Sequence, residues 1–134
     1  MQALAARRSS RDFRPSALPL PVLSGLLWAA YGVNRPDGGR TAPSALNAQE
    51  VEVLVALPAG AYRYEASTQE LHLVAAGDLR RVTGYQDFVD EAPLDLVYVA
   101  DHTRMALVPV SQRQAYAYTA VGAIAQNVYL FAAS

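Results

Sequence analysis

Val51-Glu52-Val53-Leu54-Val55-Ala56-Leu57-Pro58-Ala59-Gly60-Ala61-Tyr62-Arg63-Tyr64-Glu65 is the stretch that decides the fold. Side chains of a strand alternate between two faces, so Val51, Val53, Val55 and Leu57, spaced by two, predict a strand with one apolar face. Pro58-Ala59-Gly60 is turn chemistry, and it leads into a second strand from Ala61 to Glu65. The polar run Ala66-Ser67-Thr68-Gln69 turns the chain again, into a third strand from Glu70 to Val74. These three runs predict an antiparallel meander.

On the N-terminal side, residues 2 to 8 suit a short helix, and Arg14 to Pro21, with prolines at 15, 19 and 21, reads as extended. Leu23, Leu26, Leu27, Ala30 and Tyr31 fall on one helical face, with Pro21 suited to a first turn and Gly32 to a terminus. Trp28 of this helix is expected to line the core. Asn34 to Thr41 is rich in turn-forming residues and reads as a loop.

Beyond the meander, Asp78 is placed to cap a helix running to about Asp90, with Leu79, Val82, Phe88 and Val89 inward. Leu94 to Ala100 is mostly apolar and is expected to be a central strand covered on both faces. From Gln112 to Ser134 the pattern is a long helix, apolar nearly all round but interrupted by Gln126 and Asn127, which argues against a membrane span and for a core or dimer helix. That helix reaches the last residue without a glycine, asparagine or proline stop, so the chain is expected to be cut short.

Composition narrows the function classes. A length of 134 residues fits one domain, and 52% hydrophobic against 17% charged residues points to apolar surface buried on a partner. There is no cysteine, which excludes thiolate nucleophiles, disulfides and Cys-ligated metals, and no lysine. The net charge of −1 and scattered arginines argue against nucleic acid. His72 and His102 lie thirty positions apart with no neighbouring ligand or nucleophile pattern. The opening Met1 to Ala6 is too short for a secretory leader, so a cytoplasmic location is expected.

One segment carries candidate ligand chemistry: Arg7-Arg8-Ser9-Ser10-Arg11-Asp12-Phe13. The planar guanidinium matches phosphate bidentately and stays ionised, so the cluster reads either as a phosphate site or as a solvated basic turn. Pro43-Ser44-Ala45-Leu46-Asn47 similarly reads either as a helix start capped by Ser44 or as a ligand-contacting turn.

Four segments together resemble the nitroreductase family of flavoproteins, and within it the SagB-type dehydrogenases. They are Arg7 to Phe13; Pro19 to Arg35; Arg40 to Gln49 with the strand Tyr62-Arg63-Tyr64; and Gly122 to Leu130. The resemblance implies an α+β, nitroreductase-like fold with a central, mostly antiparallel sheet flanked by helices, and a homodimer with FMN at its interface. It makes Arg7, Arg8 and Ser9 phosphate-side ligands, directs Arg11 to the ribityl chain and pyrimidine edge, and brings Pro43, Ser44 and Asn47 to the ring from the partner subunit. No catalytic side chain and no metal are expected, since FMN passes hydride from NAD(P)H, a transient donor, to an electron-poor small molecule, or oxidises an azoline in a modified peptide. Family members continue past the long helix with further cofactor-contacting segments. The expectation is therefore an FMN-dependent oxidoreductase, with two alternatives: a partial domain that dimerises without chemistry, or one that keeps FMN without turnover.

Overall fold

The computed structural model describes residues 1–14 and 16–134. Pro15, part of the stretch read as extended, lies outside them. Among the described residues, three α-helices and one four-stranded sheet make up the fold: α1 (Gln2–Ala6), α2 (Leu20–Tyr31), β1 (Val51–Leu57), β2 (Gly60–Glu65), β3 (Glu70–Ala76), β4 (Asp95–Ala100) and α3 (Val110–Ala132). The strand order is β3-β2-β1-β4 and every pairing is antiparallel. The α+β architecture and the meander are as the sequence predicts.

The period of two in β1 does the work expected of it. Val51, Val53 and Val55 are all buried, in one cluster with Leu23, Leu27, Ala30 and Tyr31 of α2 and with Ala120 and Ile124 of α3. All five residues assigned to the inner face of α2 are buried. Gly32 does end α2, but its backbone is extended (φ −69°, ψ 161°) rather than left-handed. A Cβ there would lie 2.5–2.8 Å from Trp28 atoms, so close approach selects glycine at this position. Trp28 itself is 42% exposed, and its indole N–H donates to the Val33 carbonyl at 3.1 Å. It covers the helix end and does not line the core.

Two further expectations are corrected. Residues 78–90 hold no α-helix, only single 3₁₀ turns at Arg80–Val82 and Asp87–Val89. The Asp78 carboxylate accepts from the Arg80 N–H at 3.1 Å and also grips the Arg80 guanidinium at 2.6 and 3.0 Å, while the Thr83 hydroxyl donates to the Arg80 carbonyl at 2.8 Å. Such local bonds satisfy the backbone in a turn and compete with the helix ladder. Val82, expected inward, is 74% exposed.

The strand from Leu94 to Ala100 forms, but at the sheet edge, paired with β1 alone among the described residues. Its residues are half-buried rather than enclosed on both faces. An apolar run reports burial on both sides in a parallel sheet, and the rule does not carry over to an antiparallel edge. In α3 only Ala117, Ala120 and Ile124 are buried, and Tyr116, Tyr118 and Tyr129 stand partly in solvent. Among the described residues no helix is long and apolar enough to cross a membrane.

Ile124→Ala removes a fully buried side chain between β1 and α2 and should cost about 2–5 kcal/mol, read as a lowered urea midpoint. Val82→Ala, in the segment that is not helical, should stay within about 0.5 kcal/mol of the parent.

Candidate functional site

α3 organises the candidate site, because it carries the attachment points of both arginine- and proline-bearing segments. The first segment leaves α1 as exposed, irregular chain. The Arg7 guanidinium carbon stands 5.7 Å from the centre of the Tyr129 ring, and that of Arg11 stands 5.6 Å from the Phe88 ring, both within cation–π range. Phe13 packs beside Phe88 with ring centres 6.2 Å apart. Arg7, Arg8 and Ser10, with Tyr129 and the end of α3, line an open groove of about 640 Å³. Ser10, not Ser9, is the hydroxyl that lines this groove, and Arg11 points toward Phe88.

Among the described residues, no carboxylate forms an ion pair with Arg7, Arg8 or Arg11. Two of these three guanidiniums, those of Arg7 and Arg11, are held on aromatic rings, and with Arg8 lining the groove and no counter-charge the cluster is chemically suited to a phosphate.

Next to this groove, sharing Ser10 and Tyr129 with it, lies an apolar cavity of about 460 Å³ lined by Phe13, Leu26, Phe88, Leu96, Tyr98 and Val128 among others. Burial there pushes the Tyr98 hydroxyl up to about 12 from an ordinary 10.0, with Tyr129 adding to the shift. The folded chain therefore holds this proton longer than the unfolded one, and the associated stability is intact below pH 10 and lost as pH rises from 10 toward 12. Tyr98→Phe should match the parent in urea midpoint at pH 8 and fall less by pH 11, the difference being about 1 kcal/mol.

The second segment, Pro43 to Asn47, is built differently from a capped helix start. It forms a 3₁₀ turn at Ala45–Asn47, and the Ser44 hydroxyl accepts from the Gln49 N–H at 2.9 Å instead of capping the turn. Leu46, Asn47 and Gln49 all have left-handed backbones, with φ of 52°, 52° and 48°. Asparagine tolerates that region, whereas for leucine and glutamine it costs about 1–2 kcal/mol each. Such strain persists only where surrounding bonds enforce it.

The enforcing bonds converge on Gln49. Its Oε1 accepts from Arg40 Nε at 3.1 Å, and its Nε2 donates to the Gly38 carbonyl at 3.0 Å and to Asn47 Oδ1 at 3.1 Å. Arg40 in turn donates to the Tyr31 carbonyl at 3.1 Å, its guanidinium 4.9 Å from the Tyr31 ring centre. Burial holds the Tyr31 hydroxyl above its ordinary range, with Arg40 pulling it back. The side-chain oxygens of Tyr31, Thr41 and fully buried Glu50 have no hydrogen-bond partner among the described residues, a concentration of unsatisfied groups that marks this corner as costly to maintain.

A polar pocket of about 110 Å³ lies nearby, where Arg40, Arg63 and Arg104 meet Glu52 and Glu65. Arg104 is paired with Glu52 at 2.7 Å and with Asp101 at 3.3 Å. Three guanidiniums against two carboxylates leave the lining of this small pocket with one excess positive charge.

The two segments are not brought together around one ligand within a chain. The Asn127 side chain donates to the Thr41 carbonyl at 3.3 Å, whereas Arg7 sits on Tyr129. Two residues of helix turn through about 200°, so the proline turn and the arginine cluster attach to opposite sides of α3. His72 lies beside Glu70 on β3, His102 starts a 3₁₀ turn, and no metal-binding cluster occurs among the described residues.

The sequence profile of the Nitroreductase family matches residues 4–134. The chain belongs to that family. A protein of Methanocaldococcus jannaschii, named provisionally as a nitroreductase, is 33% identical over 141 residues, covering 98% of this chain and 71% of its own. A Ralstonia eutropha crystal structure, again titled provisionally as a nitroreductase, is 53% identical with a TM-score of 0.93, over 99% of this chain. One from Desulfovibrio desulfuricans, in complex with FMN, shares the fold at 23% identity and a TM-score of 0.65, over 98% of this chain. This nitroreductase-family chain spans 64% and 60% of those two structures' own lengths.

Sequence reading missed the platforms Tyr129 and Phe88, because both are distant in sequence from the arginines they support. It also passed over Gln49, although Gln49 closes the quoted motif.

Proposed function

We propose that this nitroreductase-family chain binds FMN and serves an oxidoreductase that moves electrons between NAD(P)H and an electron-poor acceptor. The observation that carries the proposal is the trio of exposed guanidiniums without a carboxylate partner, two of them, Arg7 and Arg11, on aromatic platforms. In this reading Arg7, Arg8 and Ser9, with Ser10 added by the groove, hold the phosphate. Arg11 supplies positive charge toward the pyrimidine edge. Pro43, Ser44 and Asn47 approach the ring from a second copy. Their attachment to the opposite side of α3 supports that division of labour between two copies, and with it a homodimer that holds FMN at its interface.

When bound, FMN supplies the two-electron chemistry, and the protein's part is binding, orientation and charge. The chain's residues fit that part: guanidiniums to neutralise an anionic tail, small side chains at positions 43 and 44, and no cysteine to compete as a nucleophile. We assign the protein to the cytoplasm, where NAD(P)H is available. The SagB-type resemblance of the motifs adds a second chemistry in the opposite sense, in which a peptide azoline would give two electrons to the flavin and become an azole.

The purified chain should be yellow and should bleach on addition of NADH or NADPH under anaerobic conditions. Colour that persists leaves a domain that keeps FMN without turnover, and a colourless protein that takes up no added FMN ends the proposal. Arg7→Ala combined with Arg11→Ala removes two charge-assisted contacts and should weaken FMN binding on the order of a hundredfold or more, with the far-ultraviolet circular dichroism unchanged. Parent-like affinity in that double variant would exclude the cluster as the phosphate site.

A further inference from the structure

We infer that Gln49 is the positioning residue of the flavin-facing turn: its backbone N–H holds Ser44, and its side-chain amide holds Asn47, in a turn whose Leu46 and Asn47 take a left-handed shape that they do not adopt unaided. The inference rests in part on the proposed FMN site, since it concerns how that site is held open for a ligand. It stands independently on geometry that needs no ligand.

Three of the four residues from Leu46 to Gln49 have φ between 48° and 52°, and none of them is glycine. Leu46 is also 69% exposed, so no packing of its side chain explains the conformation. Backbone bonds from Asn47 N–H to the Ser44 carbonyl (3.2 Å) and from Ala48 N–H to the Ala45 carbonyl (3.0 Å) close the turn locally, and its side-chain bonds to the rest of the molecule run through Gln49. The Gln49 N–H closes the turn onto Ser44 Oγ, its Nε2 reaches Asn47 Oδ1, and the same amide ties both to the 34–40 loop through Gly38 O and Arg40 Nε. Arg40 completes the chain of contacts by gripping the C-terminal carbonyl of α2 at Tyr31. The clamp thus runs from a helix of the core, through Arg40 and Gln49, to the two side chains proposed to face the ring. Gln49 need not touch the ligand to control where Ser44 and Asn47 stand.

Amide choice matters here. Gln49 uses its oxygen as an acceptor toward Arg40 and its nitrogen as a donor toward two oxygens. Gln49→Glu keeps the first function and loses the second, while Gln49→Ala loses both. The pair separates the arginine contact from the contacts that hold the turn.

The test uses hydrogen exchange on the full chain without ligand, followed by FMN titration. Amides of residues 45–49 should exchange at least tenfold faster in Gln49→Ala and in Gln49→Glu than in the parent, with β1 and β2 unchanged. FMN affinity should fall about tenfold in both, the size expected when a ligand loses about one well-placed hydrogen bond. Adding Leu46→Gly to Gln49→Ala should recover part of that affinity, because glycine adopts the left-handed region without the steric cost. Unaltered exchange of the turn in both variants overturns the clamp, as does parent-like FMN affinity in both. Failure of the parent to bind FMN removes the proposed function, and the exchange measurement then decides the clamp alone.

Discussion

The contact on which the molecule depends is the seat of α3 against β1, where Ile124 and Ala120 share one buried cluster with Val51, Val53 and Val55. Burial of these side chains is non-directional in its energy but specific in its geometry, since close packing fixes the rotation of the helix. That rotation decides where Asn127 and Tyr129 point. Through them it fixes the two segments with candidate ligand chemistry, one on each side of the helix. A change of core volume at Ile124 would therefore reach the surface as a change in how those segments are aimed.

Much of this was legible from local pattern. The valines of β1 declared the strand by their spacing, and the leucines of α2 declared its inner face, because a buried face imposes its period directly on the sequence. The segment after Asp78 was misread because a good capping residue signals either a helix start or a self-contained turn. The choice fell to the Arg80 guanidinium, whose bonds to Asp78 and to the Ala92 carbonyl lie outside any helical pattern. Leu94 to Ala100 announced a strand but not its place, as strand order is set by tertiary pairing that composition does not encode.

The candidate site divides the same way. The arginines and the Pro-Ser-x-x-Asn segment were readable as residue types suited to an anion and to a flat ring. Their supports were not. Tyr129 lies more than a hundred positions from Arg7, and the left-handed run at Leu46, Asn47 and Gln49 contains no glycine to advertise it. Conformational strain at non-glycine residues is invisible to propensity, because propensity describes what a residue does when nothing forces it.

The two margins of the sheet are finished differently. On the β3 side the pairing with β2 slips between Ala61 and Tyr62, a bulge that twists the outer strand and spoils it as a template. On the β4 side the ladder is regular from Asp95 to Ala100, and the strand borders an apolar hollow through Leu96 and Tyr98. A regular, half-apolar edge presents its unpaired backbone groups in register for an added strand. Of the two margins of the described sheet, the one along β4 is therefore the one whose regular ladder suits the addition of a further strand.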